Sequence, residues 1–359
     1  MNDAKVAIIG AGNIGTMIAN MLTHADYDVT IVDTNASALV QPSLDKIRVL
    51  DLDITKLDKF INFLGTQDYV VNAGPFFLNN DIAHAAAKTN THYFDLTEDV
   101  EQTELIREMA QHSTKSAFVP QCGLAPGFIS IIANHLAQKF ESVESIKMRV
   151  GALPLYPNNA LKYNMTWSTD GLVNEYLHPC NAVQDGELIT VKPLEGYETF
   201  NLDGVTYEAF NTSGGLGTLC ETWQGRADSM DYKTARYPGH RDLMRFLIDD
   251  LKLGEDNGAQ LKKIMNHAIP QTNQDVVLIF VTVTGYNKGT LVKTTWSKKI
   301  YSQKRYGHTW SAIQLTTGAG ICAMVDLHRT KKLTQIGFVK QEEVSIEDFM
   351  KTPFGSVYQ

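Results

Sequence analysis

Residues 5–22 read KVAIIGAGNIGTMIANML, an apolar strand pattern that leads through a glycine-rich turn into an amphipathic helix pattern. Gly10, Gly12 and Gly15 take the G-x-G-x-x-G positions directly after the strand. In a dinucleotide site the first glycine permits a tight turn, the second lets a pyrophosphate approach the backbone, and the third lets the helix pack on the strand. Because the same turn occurs in α/β proteins that bind no nucleotide, the motif needs support from the rest of the chain.

An acidic residue at the end of the next strand gives that support. The strand YDVTIVD ends at Asp33, about 20 residues beyond the glycines, where a carboxylate accepts hydrogen bonds from an adenosine ribose. The alternative is that Asp33 only caps a loop. Since this carboxylate would repel a 2′-phosphate and no arginine follows it in DTNASAL, the sequence favours NAD over NADP.

Strand and helix patterns alternate through the first third of the chain. Continuous apolar strands, such as KVAIIG, DVTIVD, YVVNAG and SAFVPQCG, predict a parallel sheet covered on both faces, a doubly wound Rossmann domain of the α/β class. Later β-rich runs, such as QDVVLIFVTVTG and TLVKTTWSKKIY around YNKG, predict an α+β domain with a mostly antiparallel sheet. We expect domains over residues 1–123 and 124–308, and a C-terminal return over 309–359 that packs on the Rossmann domain.

Composition and charge narrow the classes of partner. The chain has 359 residues, 43% hydrophobic and 20% charged, which is ordinary for a globular protein and enough for two cores. A net charge of -8 without clustered Lys and Arg disfavours nucleic acid and membrane surfaces and favours a small-molecule partner. Scattered cysteines, no signal-peptide pattern and no run of spanning length predict a cytoplasmic protein. The dispersed histidines predict no metal site.

Two later turns extend the predicted cofactor site toward the nicotinamide. NAGPF and CGLAPGF follow strands of the predicted sheet, although each could be an ordinary Gly-Pro turn. Asp53, at the end of RVLDLD, is expected either at the adenine edge or as the N-cap of the helix that begins near Leu57. The predicted cofactor contacts are Gly10, Gly12, Asn13, Ile14, Gly15, Asp33, Asp53, Ala73, Gly74, Pro75, Cys122 and Gly123.

Six stretches together resemble the saccharopine dehydrogenase family, including its lysine 6-dehydrogenase branch. They are GAGNIG, VVNAGPFFLNNDIAHAAAKTNTHYFDLTED, CGLAPGFISIIANHLA, MTWSTDGLVNEYLHPC, YEAFNTSGGLGTLCETW and TARYPGHRDLMRFL. The resemblance implies an inserted substrate-binding and dimerisation domain, hence a homodimer. It also implies NAD(P)-linked hydride transfer from an amine-bearing carbon of a lysine-derived amino acid, either saccharopine or the ε-amine of lysine. Relatives close to lysine 6-dehydrogenase carry a basic residue where this chain reads SGGLG at 213–217, which leaves the substrate open.

Amine oxidation by hydride transfer needs a base, and an amino-acid substrate needs a cation for its carboxylate. Asp95, after the strand HYF, is either that base or the N-cap of the next helix. RYPGH offers a guanidinium, a phenol and an imidazole within one turn, although its histidine could lie on the surface at a helix start. Similarly, Trp167 could be core and Glu221 a solvated helix acid. The predicted catalytic residues are Asp95, Tyr237 and His240, and the predicted substrate contacts are Tyr93, Thr97, Trp167, Ser168, Glu221 and Arg236.

Two other functions compete with this hypothesis. A carboxynorspermidine-type reductase would run the reaction toward the amine of a polyamine precursor. A non-catalytic NAD-binding sensor would keep the fold without the chemistry. Short-chain dehydrogenases are disfavoured, because the chain has no Tyr-x-x-x-Lys pair and spaces its glycines differently.

Overall fold

The computed structural model describes residues 4–39, 46–254 and 257–359. The chain forms two compact units, the first from Met1–Ile131 with Gln314–Gln359 and the second from Ile132–Ile313. The unit boundaries at residues 131 and 313 lie eight and five residues beyond the predicted ends at 123 and 308. Each boundary falls within a helix, where no change of composition marks it.

The described residues form seventeen strands and twelve α-helices. The strands are β1 Lys5–Ile9, β2 Asp28–Asp33, β3 Arg48–Asp51, β4 Tyr69–Asn72, β5 His92–Asp95, β6 Ala117–Val119, β7 Ser142–Pro154, β8 Cys180–Gln184, β9 Glu187–Val191, β10 Glu198–Leu202, β11 Val205–Asn211, β12 Ala227–Arg236, β13 Asp275–Asn287, β14 Thr290–Tyr301, β15 Gln303–Arg305, β16 His308–Trp310 and β17 Gly337–Phe338. The helices are α1 Asn13–Thr23, α2 Ala36–Leu39, α3 Leu57–Leu64, α4 Asn79–Thr89, α5 Val100–Gln111, α6 Phe128–Ala137, α7 Thr169–Leu177, α8 Leu219–Trp223, α9 His240–Arg245, α10 Gly258–Ala268, α11 Ala312–Arg329 and α12 Ile346–Lys351.

The first unit is built on a seven-stranded sheet in the order β17-β6-β5-β4-β1-β2-β3. All of its strand pairs are parallel. This arrangement confirms the predicted doubly wound α/β fold. The chain order reverses at β1, which lies between β2 and β4, and ligands of such sheets bind where the carboxyl ends of the strands meet this reversal.

The C-terminal segment completes the first unit. β17 pairs with β6, and the hydroxyl of Tyr27 donates to Asp326 on α11 over 2.9 Å. Two glycines let α11 lie close to its neighbours: a Cβ on Gly318 would meet Met17 on α1 at 3.2 Å, and one on Gly320 would meet the Cys122 carbonyl oxygen at 2.7 Å. Helix α11 therefore packs directly against the loop that follows β6.

The second unit is built on an eight-stranded mixed sheet. Its main order is β10-β11-β12-β7-β13-β14, and β8 joins β12 and carries β9. Only β12 and β7 run parallel, so the predicted, mostly antiparallel sheet is confirmed. β13 and β14 form the hairpin expected around YNKG, with Lys288 and Gly289 at positive φ in the turn.

Three helices have limits set by their neighbours along the chain. Helix α6 ends at Ala137, and α11 begins at Ala312 because Trp310 ends the short strand β16. Helix α9 is followed by one π-helical turn at Phe246–Asp250.

Candidate active site

The glycine loop of the first unit has the geometry of a pyrophosphate cradle. Gly10 has a φ of +104°, and a Cβ on Gly15 would lie 1.9 Å from the Gly10 carbonyl oxygen, so both positions require glycine. A Cβ on Gly12 would meet nothing within 4 Å, which leaves open space above the backbone where α1 begins. No side chain caps α1, and its first turn contains no acid. Asn13 and Ile14 therefore present amides suited to an anion.

Asp33 lies at the carboxyl end of β2 beside this loop. Its Oδ2 accepts a hydrogen bond from the Ala11 amide at 2.9 Å, and its Oδ1 accepts from the Asn35 amide at 3.3 Å. The carboxylate thus ties the second strand to the glycine loop. These residues fit a dinucleotide, because a partly exposed acid stands where a ribose hydroxyl would need an acceptor.

Asp53 lies two residues beyond β3, and its Oδ1 accepts hydrogen bonds from the Thr55 amide at 3.0 Å and hydroxyl at 2.6 Å. This is a local turn, and Lys56 rather than Asp53 occupies the N-cap position of α3. The alternative role of Asp53 as a helix cap is therefore wrong. Its contact with adenine stays a prediction.

The two turns predicted at the nicotinamide side are held by internal bonds. The Asn72 side chain accepts from the Gly74 amide at 2.9 Å and donates to Asn79, which fixes the loop containing Ala73 and Pro75. Cys122 is fully buried, and its thiol donates to the Val119 carbonyl oxygen at 2.9 Å. Its backbone amide also donates to the Asp95 carbonyl oxygen at 2.8 Å, so the structure does not support Cys122 as a cofactor contact.

Three predicted site residues serve the fold of the first unit. Asp95 is fully buried, and its carboxylate accepts from the Tyr93 hydroxyl at 2.7 Å and from the amides of Thr97 and Gln121 at 3.0 and 2.9 Å. Both oxygens are thus occupied, and burial raises the pKa of Asp95 to about 6. Tyr93 and Thr97 are also buried. The structure does not support Asp95 as the base, or Tyr93 and Thr97 as substrate contacts.

A neighbouring acid, Glu98, was missed by sequence reasoning. Asp99 accepts a hydrogen bond from the Gln102 amide at 2.9 Å, so Asp99, and not Asp95, is the N-cap of α5. Glu98 stands between these acids, is partly buried, and accepts no hydrogen bond from another residue in the described part of the chain. Burial, with the charges of Asp99 and Asp95, raises the pKa of Glu98 to about 7. Its carboxyl can therefore exchange a proton near neutral pH.

The second unit brings Arg236 and His240 together in a buried polar cluster. Arg236 ends β12, His240 begins α9, and their exposures are 2% and 1%. Arg236 Nε lies 3.0 Å from the hydroxyl of Tyr176 on α7, and that hydroxyl lies 3.1 Å from His240 Nε2. Burial and the Arg236 charge lower the pKa of His240 to about 3. A buried, neutral imidazole with both nitrogens engaged does not support the predicted role of His240 as a catalytic base.

Tyr237 lies apart from this cluster, which corrects the prediction that RYPGH acts as one group. Tyr237 directly follows the last residue of β12. Its ring stacks on that of Tyr207, with the ring centres 5.9 Å apart, and its hydroxyl donates to the Pro154 carbonyl oxygen at 2.9 Å. Its hydroxyl has a structural use, and the structure does not support a catalytic one.

The remaining predicted substrate contacts, Trp167, Ser168 and Glu221, lie in a loop, at a helix N-cap and on a helix, respectively. Trp167 precedes α7 in a loop, not in a strand, and its indole donates to the Tyr163 hydroxyl at 3.2 Å. Tyr163 in turn lies under Arg236, whose guanidinium carbon is 5.0 Å from the ring centre. Ser168 is the N-cap of α7 and accepts from the Gly171 amide. Glu221 lies on α8 with its side chain exposed.

Arg236 differs from the other buried arginine of the sheet because no carboxylate contacts it directly, although the charge of Glu175 acts on it from farther away. Arg149 on β7 contacts the carboxylates of Glu198 and Asp231, and Lys233 bonds to Glu198 at 2.9 Å, so two cations face two anions. Among the described residues, no carboxylate lies within the 4.0 Å ion-pair distance of Arg236, and no residue accepts from its Nη2. Since a buried donor without an acceptor is costly, the Nη2 edge of this guanidinium is suited to an anionic ligand.

Two features are absent from the part of the chain that the structure describes. In residues 4–39, 46–254 and 257–359, no group of three or more His, Cys, Asp or Glu side chains could hold a metal ion. Over the same ranges, every helix is too short or too polar to cross a bilayer.

Comparison with known proteins gives matches over nearly the whole chain. Residues 6–120 match the family model for the saccharopine dehydrogenase NADP binding domain, and residues 123–354 match that for the saccharopine dehydrogenase C-terminal domain. The mitochondrial alpha-aminoadipic semialdehyde synthase of Bos taurus is 20% identical over 317 residues, which are 82% of this chain and 33% of that protein. The Rattus norvegicus protein is 20% identical over 56% of this chain and 24% of its own length. The chain thus spans about a third or less of these curated relatives.

Two solved structures share the fold. Saccharopine dehydrogenase (L-Glu forming) from Saccharomyces cerevisiae superposes with a TM-score of 0.80 at 16% identity, covering 97% of this chain and 96% of that one. Homospermidine synthase from Legionella pneumophila, solved with NAD, gives a TM-score of 0.66 at 14% identity, covering 99% and 89%. At these identities the likeness concerns the fold alone.

Proposed function

The chain belongs to the saccharopine dehydrogenase family, and from that premise we propose that it transfers a hydride from the CH–NH or CH–NH2 carbon of a lysine-derived amino acid to NAD(P). The observation that carries the substrate class is the buried guanidinium of Arg236, whose Nη2 has no acceptor among the described residues. An amino acid supplies that acceptor through its carboxylate. A bare polyamine would add a second cation, so the geometry favours an amino acid over a polyamine.

We propose NAD rather than NADP as the cofactor. In this proposal Gly10, Gly12 and Gly15 receive the pyrophosphate, and Asp33, bonded to the Ala11 amide beside them, receives the ribose with a carboxylate that would repel a 2′-phosphate. When bound, the nicotinamide ring accepts the hydride. The contribution of the protein is to hold the ring and the amine in place and to exclude water.

We assign the proton transfer to Glu98. The amine must lose its proton before its lone pair can form the C=N bond as the hydride leaves carbon, and a carboxylate with a pKa near neutrality can take that proton. Glu98 follows the carboxyl end of β5, on the β4–β6 side of the sheet reversal, and it has no competing hydrogen bond from another described residue. Both carboxylate oxygens of Asp95, the base predicted from the sequence, already accept hydrogen bonds.

Replacing Glu98 with glutamine should remove the acid limb of the pH profile. In the wild type we expect kcat/KM for amine oxidation to fall below pH about 7, because the pKa of Glu98 is raised to about 7 and the carboxyl becomes protonated. Glu98→Gln should lower kcat by about 100-fold and flatten that limb. The matched control is Asp99→Asn, which keeps Glu98 and an N-cap on α5; because the Asp99 charge raises the pKa of Glu98, this variant should keep the acid limb and move it to lower pH. If Glu98→Gln keeps the wild-type profile, Glu98 is not the base.

The proposed function is tested by a substrate panel. Purified protein is mixed with NAD or NADP and with saccharopine, L-lysine or several polyamines, and absorbance of the reduced cofactor is followed. We expect turnover with an amino acid and NAD. Turnover only with polyamines would favour the reductase alternative, and tight NAD binding without turnover of any amine would favour the sensor. The cytoplasmic location and the homodimer stay predictions, and a sedimentation mass near 39.9 kDa would contradict the homodimer.

A further inference from the structure

Arg236 and His240 are held by a turn with little freedom. Between them, Gly239 has a φ of +100°, which other residues rarely adopt. The carboxylate of Glu208, itself 1% exposed, accepts from the amides of Gly239 and Arg241, each at 2.7 Å. Glu208 also lies opposite Arg236 in the β11–β12 register. One buried acid therefore fixes the turn on which both side chains depend.

Only one assignment of donors and acceptors satisfies the hydrogen bonds of this cluster. The Leu161 carbonyl oxygen can only accept, so His240 Nδ1, 2.9 Å away, donates to it. In a neutral imidazole the other nitrogen then accepts, so the Tyr176 hydroxyl donates to His240 Nε2. A lone pair of the Tyr176 oxygen is thereby left for Arg236 Nε, which can only donate. The chain runs from Arg236 through Tyr176 and His240 to Leu161 without conflict.

This chain orients the guanidinium. Nε is bound to Tyr176, Nη1 donates to the Ala235 carbonyl oxygen at 2.9 Å, and the group lies 5.0 Å from the centre of the Tyr163 ring. These three contacts fix the guanidinium plane and leave Nη2 without an acceptor among the described residues. A planar, fixed donor set is what carboxylate recognition requires.

We propose that Tyr176 and His240 are positioning residues for substrate: they hold Arg236 so that its Nη2 edge binds the substrate carboxylate. The inference rests on the proposed function for the identity of the ligand. It replaces the catalytic role predicted for His240 with a structural one that acts through a tyrosine. Because orientation changes binding rather than chemistry, loss of either residue should raise KM and leave kcat nearly unchanged.

The test is Tyr176→Phe, which removes the hydroxyl that links Arg236 to His240. We expect KM for the amino-acid substrate to rise about 10- to 100-fold with kcat within about threefold, because a hydrogen bond to a charged group is lost. With 1,5-diaminopentane, which has no carboxylate, KM should stay within about threefold. His240→Gln keeps an oxygen acceptor for Tyr176 and should retain more affinity than His240→Leu.

Tyr69→Phe is the matched control, because Tyr69 is also a buried tyrosine bonded to a histidine, His328 at 3.2 Å, but belongs to the first unit. It should leave KM unchanged. The proposal is overturned if Tyr176→Phe leaves KM for the amino acid unchanged, or if it raises KM equally for the amino acid and the diamine.

If no amine is turned over, the proposed function fails, and calorimetric titration of L-lysine, L-glutamate and saccharopine in the presence of NAD decides this inference separately. Equal affinities of wild type and Tyr176→Phe, or no binding by the wild type, would then contradict it.

Discussion

Replacing Arg236 with methionine is expected to lower kcat/KM for the amino-acid substrate by about 100- to 1,000-fold. Removing one member of a buried, hydrogen-bonded charge pair costs about 2–5 kcal/mol, and most of that loss should appear in KM. The fold should survive, since methionine has a similar length and replaces a buried cation that makes no direct ion pair among the described residues. Steady-state kinetics with the amino acid, together with the melting temperature, measure both effects.

The control for Arg236 is Arg241→Met in the same turn. Arg241 lies over the ring of Tyr197 at 4.6 Å, so its substitution removes a guanidinium without touching the Arg236 cluster. We expect its kcat/KM to stay within about threefold of the wild type, as for a substitution outside the binding contacts. Arg236→Lys should recover only part of the affinity, because an ammonium does not reproduce the planar donor geometry. An Arg236→Met enzyme with wild-type KM would contradict the assignment of the carboxylate site.

Asp33→Ala is expected to weaken NAD binding by about 10- to 100-fold while NADP binding changes less. The carboxylate should accept hydrogen bonds from the ribose of NAD, each worth about 1.5–3 kcal/mol when charge-assisted, and its removal also ends the repulsion of a 2′-phosphate. The preference between the two nucleotides should therefore shift toward NADP. Fluorescence or calorimetric titration with each cofactor measures the shift directly.

A control for Asp33 is a variant that loses a similar carboxylate-to-amide hydrogen bond away from the glycine loop. Asp68→Ala is suitable, because the Asp68 carboxylate accepts from the Lys5 amide at 2.8 Å, much as Asp33 accepts from the Ala11 amide at 2.9 Å. Lys5 is the first residue of β1, and Ala11 lies two residues beyond the last one, so the two bonds lie at opposite ends of the same strand. Equal losses in the two variants would indicate a general effect on stability. Unchanged NAD affinity in Asp33→Ala would mean that Asp33 only secures the loop.

The fold could be predicted because its determinants are local. A glycine turn between an apolar strand and a helix, and an acid at the end of the following strand, are readable within about 30 residues of sequence. The hairpin of β13 and β14 was predicted from two β-rich runs around YNKG. The family resemblance, confirmed by both family models, rested on motifs spread from the first unit into the second.

The site was harder to predict because side-chain direction depends on distant partners. The end of β5 was identified correctly, but the burial of Asp95 depends on the Gln121 amide, 26 residues away. Likewise, Tyr176 meets Arg236 across 60 residues and His240 across 64, and no spacing motif records either contact. Glu98 could have been considered as the first acid of the LTED loop.

The central claim is that a hydride leaves the amine-bearing carbon of an amino acid and reaches the nicotinamide. It is tested most directly with the substrate found in the panel, prepared with deuterium on that carbon, followed by mass spectrometry of the reduced cofactor. The account predicts one deuterium in each reduced nicotinamide, with a slower rate for the labelled substrate wherever hydride transfer limits turnover. Reduced cofactor without deuterium, or no reduction with any amine, would contradict it.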